Sequence, residues 1–183
     1  MLAQMNDNIQ ISSATLDDGS AIAQIYSAYV LESSATFETV PPDDSTMIER
    51  MRQVLDNGYP WLVAREEDGT VTGFAYANRF QPRNGFRYAI ETSIYVRHGS
   101  KRKGVGTALM TGLIAACEAR GYRQAFAVIA GTEPASVVLH ARAGYRPCGT
   151  LENVGRKHGK WIDVFYMQRA LGDGGDSPPP DEP

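Results

Sequence analysis

The pattern of apolar and polar positions divides the first part of the chain into a short strand and two helices. Residues 9–13 alternate apolar and polar side chains, which is typical of a β-strand. Apolar residues then recur three and four positions apart over 22–30 and again over 47–55, which places them on one face of a helix. The segment 15–18 resembles a capping box, and Pro42 precedes the second helix. Two helices are therefore predicted before the main sheet.

The middle of the chain predicts three strands and a further helix. Residues 61–64 and 71–77 form a predicted antiparallel pair, because Asp68-Gly69 between them is a strong hairpin signal. A third strand is predicted over 88–96. A loop with two glycines follows and leads into an amphipathic helix predicted over 107–120.

The last elements complete a mixed α/β pattern. An apolar run over 125–129 predicts a buried strand, and a helix is predicted over 132–143. Two closing strands are expected near 145–151 and 161–168, joined through 157–160. The predicted order is β-α-α-β-β-β-α-β-α-β-β, which is an α/β fold with a mixed sheet.

Length and charge favour one domain that acts on a small molecule. The chain has 183 residues and a net charge of -3, which gives no reason to expect nucleic acid or an anionic membrane as a partner. One domain is predicted over 1–171, followed by a disordered tail over 172–183 that is rich in Gly, Asp, Ser and Pro. The beginning of the chain does not resemble a secretory signal, and no stretch is long enough to span a bilayer, so a cytoplasmic protein is expected.

The cysteines and histidines offer little independent chemistry. Cys117 and Cys148 have no metal-type spacing and no neighbouring histidine, so reduced structural thiols, no metal site and no acetyl-cysteine intermediate are expected. His98 and His158 are interpreted as loop residues without partners.

The segment Lys101–Gly106 is a candidate phosphate-binding loop. Its two glycines allow a ligand to approach the backbone closely, and the first turn of the following helix offers unpaired N–H groups. The loop lacks the Gly-Lys-Ser/Thr of a P-loop, and Leu109 replaces the third glycine of a dinucleotide fingerprint. Taken alone, such a loop is weak evidence for a phosphate site, and a surface turn rich in Lys and Arg is the better interpretation.

The combination of strand, loop and helix resembles the GNAT superfamily of N-acetyltransferases. In that family, a strand like Glu91–Val96 precedes the pattern Arg/Gln-x-x-Gly-x-Gly/Ala, and here Lys101 takes the first position. The segments 59–64, 139–145 and 155–163 are similar to the phosphinothricin and methionine sulfoximine acetyltransferase branch.

This resemblance extends over residues 9–171 and implies acetyl-CoA as co-substrate. It implies a splayed sheet in which two central parallel strands part at the cofactor site. The backbone of 94–96 is expected to align the pantetheine arm, and residues 102–107 are expected to bind the pyrophosphate. Glu133 stands where relatives often have an asparagine. The expected cofactor contacts are Ile94, Tyr95, Val96, Lys101, Arg102, Lys103, Gly104, Val105, Gly106, Thr107, Glu133 and Ser136.

Glu91 and His140 are the expected catalytic residues. An amine must lose a proton before it attacks a thioester, and the resemblance places the family's general base at Glu91. A strand glutamate that faces solvent or pairs with an arginine is the alternative. His140 is expected to donate a proton or a hydrogen bond to the leaving sulfur, the alternative being a packing histidine. Direct transfer in a ternary complex follows.

The acceptor is expected to be small and amino-acid-like. The segment 78–88 places three arginines and three aromatic residues just before Glu91, and arginine forks suit carboxylate or phosphinate groups. An ordinary polar surface loop is the alternative. The resemblance implies a homodimer and the substrate contacts Phe37, Arg79, Phe80, Arg83, Arg87, Tyr88 and Trp161.

Phosphinothricin, methionine sulfoximine and methionine sulfone are the acceptors that this branch implies. A polyamine, an aminoglycoside or a protein N-terminus stays open as the acceptor, as does a non-catalytic acyl-CoA sensor on the same fold.

Overall fold

The computed structural model describes residues 9–101 and 103–179. Within them, seven strands form one sheet that four α-helices cover. The elements, in chain order, are β1 (Gln10–Ser13), α1 (Gly19–Glu32), α2 (Asp44–Asp56), β2 (Trp61–Arg65), β3 (Val71–Arg79), β4 (Ala89–Val96), α3 (Val105–Glu118), β5 (Gln124–Ala130), α4 (Pro134–Arg142), β6 (Arg146–Lys157) and β7 (Lys160–Ala170). The order predicted from the sequence is confirmed.

The sheet has the strand order β1-β2-β3-β4-β5-β7-β6. Each neighbouring pair is antiparallel except β4 and β5, which are parallel. Parallel neighbours need a crossover, and α3 supplies it between β4 and β5. The single parallel pair therefore lies in the middle of the sheet.

Two apolar cores lie on the two faces of the sheet. On one face, Met51 of α2 and residues of α1 pack with Phe74 and Tyr95. On the other face, Leu109 and Leu113 of α3 pack with Ile90. Because successive side chains of a strand point to opposite faces, β4 contributes to both cores, and both of its faces are covered.

The helix starts follow the predicted capping signals. The capping box of Thr15 and Asp18 is present, although it opens a short 3-10 turn that runs directly into α1. The side chain of Asp43 accepts a hydrogen bond of 2.7 Å from the backbone of Thr46 at the start of α2. Pro134 is the first residue of α4, two residues later than predicted, in agreement with the preference for proline at this position.

The largest difference between prediction and structure concerns β6. The strand was predicted to end near residue 151, but it continues to Lys157. Nearly all its side chains are exposed, so the sequence lacks the apolar alternation that reveals a half-buried strand.

The chain termini lie partly outside the described residues. The predicted absence of a secretory signal concerns positions 1–8, which lie outside the described residues. Positions 180–183 of the tail also lie outside them. Residues 172–177 form turns and a bend, and Arg123 contacts Asp173 and Ser177. The boundary of the domain and the disorder of the tail stay predictions. None of the described helices is long and apolar enough to cross a membrane.

Candidate active site

A cleft opens in the sheet where β4 and β5 part. The two strands pair over only three residues each, Ala89–Glu91 with Gln124–Phe126. Beyond that point a cavity of about 640 Å³ extends between the strands and the N-terminal ends of α3 and α4. The residues predicted to contact a cofactor that line it are Ile94, Tyr95, Val96, Lys101, Gly104, Gly106, Thr107, Glu133 and Ser136.

The edge of β4 faces this cleft with its backbone groups. Residues of an antiparallel strand direct their N–H and C=O groups alternately to one side and the other. The N–H of Arg97 donates to the carbonyl of Thr72 on β3, so every second residue before it, including Tyr95, also directs its N–H and C=O groups toward β3. The backbone groups of Ile94 and Val96 therefore point toward the cleft. A ligand with amide groups can therefore add to this edge at Ile94.

The hydroxyl of Tyr29 already bridges the backbone of Val96. Tyr29 Oη donates to the carbonyl of Val96 at 2.7 Å and accepts from its N–H at 3.2 Å. The contact joins α1 to the end of β4 across 67 residues of sequence. No local pattern indicates it, so sequence reasoning missed Tyr29 as a residue of the site.

The glycine loop places a helix N-terminus at the cleft. Gly104 has φ of +89°, a left-handed conformation that favours glycine, and it immediately precedes α3. The N–H groups of the first turn of α3 carry a partial positive charge that suits a phosphate. The side chain of Val105 is buried in the core, so only its backbone can contribute.

Of the two described lysines of this loop, one lies against an aromatic ring and the other is exposed to solvent. The ammonium of Lys101 lies 5.0 Å from the ring centre of Tyr29, and Lys103 is exposed. Arg102, also predicted to bind the cofactor, lies outside the described residues. The fit to a pyrophosphate therefore rests on the helix N-terminus and Lys101.

Glu91 lies at the point where the two strands part. It is the last residue of β4 that pairs with β5, opposite Phe126, and it is opposite Asn78 on β3. Burial raises the pKa of its carboxyl group. A raised pKa brings a carboxylate closer to the value that a general base needs near neutral pH.

His140 is buried on α4 and lines the cleft. Its Nδ1 lies 2.8 Å from the carbonyl oxygen of Ser136. A carbonyl oxygen only accepts, so Nδ1 carries the proton. Nε2 is buried without a partner among the described residues, and burial lowers the pKa of the ring. The neutral ring therefore offers a hydrogen-bond acceptor at Nε2, and donation from this atom requires the imidazolium form.

Nuclear magnetic resonance can test this assignment. The ¹⁵N shifts of the His140 ring are expected to show a neutral imidazole at pH 7 that is protonated at Nδ1, because burial and the Ser136 carbonyl favour that form. Titration is expected below the ordinary histidine pKa of about 6.5. A ring protonated at Nε2 at pH 7 would contradict the assignment.

Two hydroxyl groups meet at Thr92, which lines the cleft. Thr92 Oγ1 donates to the carbonyl of Phe126 at 3.1 Å and lies 3.0 Å from the hydroxyl of Tyr145. The Tyr145 ring also makes an edge contact with His140, with 5.0 Å between the ring centres. Burial raises the pKa of Tyr145 to about 12, so its hydroxyl stays protonated at neutral pH. Sequence reasoning missed both hydroxyl residues.

The arginine-rich segment 79–88 runs from the end of β3 to the start of β4. Phe80 stacks on Phe126, with ring centres 4.1 Å apart, and Phe126 is the residue opposite Glu91. Arg79 and Arg83 are exposed, and the guanidinium of Arg87 lies 4.4 Å from the ring centre of Tyr88. The stacking of Phe80 thus anchors this segment at the strand pair that carries Glu91.

The two aromatic residues predicted to wall the pocket differ in their surroundings. Phe37 lies against Gly155 of β6. Trp161 is 59% exposed, and the guanidinium of Arg156 lies 5.3 Å from its ring centre. Trp161 is not among the residues that line the cleft in the single chain.

The interpretation of His98 and His158 as residues without partners is wrong. His98 Nδ1 lies 3.3 Å from a carboxylate oxygen of Glu32, and its ring contacts Tyr29. His158 Nε2 lies 3.4 Å from the carbonyl oxygen of Ser33. Both partners belong to the end of α1 or the loop after it, distant in sequence.

A smaller cavity of about 260 Å³ lies on the α1 and α2 side of the sheet. Tyr76 and Asn78 form part of its floor, and Glu38 and Arg50 form part of its wall. Because Asn78 is opposite Glu91 in the sheet, this cavity adjoins the side of the strand on which Glu91 stands.

Together these features define a class of protein. An open strand edge suits the amide groups of a pantetheine arm, and the adjacent helix N-terminus suits a pyrophosphate. A carboxylate of raised pKa stands where the strands part. This is the site of an acyl-CoA-dependent transferase.

Comparisons with known proteins identify the family. A model described as an acetyltransferase (GNAT) domain matches residues 11–166. The chain is 44% identical over 159 residues to the phosphinothricin N-acetyltransferase of Alcaligenes faecalis, covering 86% of this chain and 80% of that protein. It is 34% identical over 161 residues to an L-methionine sulfoximine/L-methionine sulfone acetyltransferase of Pseudomonas paraeruginosa, covering 88% and 94%. The chain therefore belongs to the GNAT acetyltransferases.

A solved structure agrees with this assignment. The crystal structure of a GNAT superfamily phosphinothricin acetyltransferase from Sinorhizobium meliloti, in complex with acetyl-CoA, superimposes with a TM-score of 0.93 at 39% identity. The match covers 95% of this chain and 94% of that one. The predicted fold, the enzyme class and acetyl-CoA as co-substrate are confirmed.

Proposed function

We propose that this protein transfers an acetyl group from acetyl-CoA to the amino group of a small amino-acid-like acceptor of the phosphinothricin, methionine sulfoximine or methionine sulfone type. The names of the relatives support this acceptor class. The observation that carries the proposal is Glu91, a half-buried carboxylate of raised pKa at the point where β4 and β5 part, directly after the arginine-rich segment 79–88. Guanidinium groups can bind the acidic groups of such an acceptor while its amine faces the carboxylate.

Glu91 is the general base in this proposal. Acetyl-CoA supplies an activated acetyl thioester when it is bound. The acceptor binds as an ammonium ion, and the carboxylate of Glu91 takes one of its protons, directly or through one water molecule. The neutral amine then attacks the thioester carbonyl in a ternary complex, so that a C–N bond forms, the C–S bond breaks, and CoA leaves as a thiolate that takes up the proton lost by the nitrogen. The raised pKa of Glu91 makes its carboxylate a stronger base than an exposed glutamate.

The cysteines support direct transfer without an acetylated enzyme. Burial raises the pKa of the Cys117 thiol to about 12, so the thiolate is scarcely populated at neutral pH. Cys148 is exposed on β6. Neither cysteine is among the residues that line the cleft.

The role of His140 depends on its protonation. As a neutral ring, it can accept a hydrogen bond at Nε2 from a thiol or from the acceptor amine. As an imidazolium it can donate to the leaving sulfur, which is the role expected from the sequence. The Nδ1 contact with Ser136 holds the ring in the same orientation in both forms.

A homodimer in the cytoplasm is also proposed. Leu151, Val154 and Trp161 are large apolar side chains that are 47%, 53% and 59% exposed, and they lie on β6 and β7 at one edge of the sheet. Apolar side chains on an exposed sheet edge favour association with a partner. Cys117 and Cys148 are both unpaired, as is usual in a reducing compartment.

A thiol-release assay tests the proposed acceptor. Release of free CoA from acetyl-CoA would be followed with phosphinothricin, methionine sulfoximine, methionine sulfone, spermidine, an aminoglycoside and a peptide with a free N-terminus. Release is expected with the first three alone. Release with spermidine, the aminoglycoside or the peptide instead would overturn the acceptor class. Calorimetric binding of acetyl-CoA without release from any amine would favour the acyl-CoA sensor.

A further inference from the structure

The loop between α1 and α2 carries Phe37, one of the acceptor contacts expected from the sequence. Residues 33–38 are here called the acceptor loop. Ala35 of this loop lines the large cleft, and Glu38 lines the smaller cavity. The acceptor loop thus lies at both spaces beside the proposed reaction centre, and its backbone position determines where the ring of Phe37 stands.

A buried lysine of β6 holds this loop. Lys157 is only 5% exposed. Its ammonium donates to the carbonyl of Thr36 at 2.7 Å and to the carbonyl of Tyr29 at 3.4 Å. These contacts join positions 121 and 128 residues apart in sequence.

Burial opposes the charged form of Lys157, and its polar partners stabilise that form. Tyr29 lies in the last turn of α1, where the carbonyl groups carry a partial negative charge. Burial lowers the pKa of Lys157, whereas the nearby Glu38 carboxylate acts in the opposite direction. An ammonium that has lost its water is held by the carbonyls that replace it, so these hydrogen bonds are costly to break.

The same strand receives the ring of Phe37. A Cβ atom built on Gly155 would lie 2.0 Å from Cε1 of Phe37. The ring therefore occupies the space of the side chain that Gly155 lacks. The acceptor loop touches β6 at two positions, through a polar contact at Lys157 and an apolar contact at Gly155.

The helices hold the opposite side of the loop. The hydroxyl of Tyr26 lies 2.8 Å from Thr36 Oγ1 and donates to Glu38 at 2.9 Å. Arg50 of α2 pairs with the carboxylate of Glu38 at 2.7 Å. Lys157 thus joins the β6–β7 hairpin to a loop that α1 and α2 hold from the other side, beside the hairpin's contacts of Gly155 with Phe37 and of His158 with Ser33.

We propose that Lys157 is a positioning residue: its ammonium fixes the backbone at Thr36, holds the ring of Phe37 over Gly155, and so sets the affinity for the acceptor. Lys157 acts through Phe37 rather than on the reacting atoms. The inference rests on the proposed function only in taking Phe37 as part of the acceptor pocket.

The Lys157→Met variant tests this role, because methionine keeps much of the length and removes the charge. The KM of the acceptor is expected to rise about tenfold, while kcat and the KM of acetyl-CoA stay within about twofold, since the loss concerns acceptor binding. Lys160→Met is the matched control, because Lys160 is exposed on the same hairpin. An unchanged acceptor KM, or equal rises in both KM values, would overturn the proposal.

A double-mutant cycle separates positioning from general destabilisation. If Lys157 acts through Phe37, the acceptor KM of the double variant Lys157→Met/Phe37→Ala equals that of Phe37→Ala alone. Independent, multiplicative effects would overturn the proposal. If Lys157→Met does not fold, as judged by circular dichroism, Gly155→Ala displaces the ring and leaves Lys157 in place. The same selective rise in acceptor KM is then expected, and an unchanged acceptor KM would count against the proposal.

The amine used in these experiments is the best acceptor found in the thiol-release assay. If that amine is not amino-acid-like, the proposed acceptor class fails. The ratio of the acceptor KM between variant and parent can still be measured with that amine. The two proposals can therefore fail separately.

Discussion

Replacing Glu91 by glutamine is expected to lower kcat/KM for acetyl transfer by about 10²–10⁴-fold, because an amide cannot take the proton that the acceptor ammonium must lose. Glutamine keeps the size of the side chain, so the cleft keeps its shape. Glu67→Gln is the control, since Glu67 is exposed in the turn between β2 and β3. Steady-state rates of CoA release with saturating acetyl-CoA measure the difference. A variant that keeps its full rate at every pH would show that Glu91 is not the base.

The pH dependence of the parent enzyme provides an independent check. The Glu91 carboxyl must be ionised to act as a base, so kcat/KM is expected to rise with pH through its raised pKa. This acid limb should disappear in Glu91→Gln.

The same shift has a consequence for stability. Because the folded pKa of Glu91 lies above the unfolded one, the native state binds more protons between the two values, and stability falls as pH rises through that interval. At pH 7 the variant should be no less stable than the parent, which thermal unfolding can measure.

Replacing Gly106 by leucine is expected to weaken acetyl-CoA binding about 100-fold, an energy of about 2.7 kcal/mol. A Cβ atom on Gly106 would lie 3.4 Å from Leu139 and 3.7 Å from Val96, and all three residues line the cleft. A longer side chain must therefore enter the space between β4 and α4. Isothermal titration calorimetry with acetyl-CoA measures the change in Kd.

Two variants control for this substitution. Gly106→Ala adds only a methyl group at ordinary van der Waals distance, so its Kd is expected to stay close to that of the parent. Gly175→Leu introduces the same side chain near the C-terminus, where no heavy atom lies within 4 Å of the added Cβ. If Gly106→Leu binds acetyl-CoA as tightly as these controls do, the cleft is not the cofactor site.

Local patterns were sufficient to predict the order of the elements. Apolar residues of α1, α2 and α3 recur at helical spacing because each helix buries one face, and the β2–β3 hairpin follows from Asp68-Gly69. The end of β6 could not be predicted in this way. An exposed edge strand has no buried face to impose an alternation of apolar and polar residues.

The candidate site was predictable where a motif is continuous in sequence. Glu91, the edge of β4 and the glycine loop lie within 16 consecutive residues, 91–106. Contacts that close over long separations were missed, such as those from Tyr29 to Val96 and from Lys157 to Thr36. Their geometry depends on how the elements pack, and a single sequence carries no local signal for such packing.

The short pairing of β4 with β5 means that the sheet is nearly divided into two halves. Only three residue pairs join the strands on one side of the cleft to those on the other. A molecule that occupies the cleft and pairs with the β4 edge bridges the two halves of the sheet. Because it binds the native state and not the unfolded chain, it raises the stability of the protein by mass action. We therefore expect the thermal unfolding midpoint of this protein to rise with the concentration of acetyl-CoA.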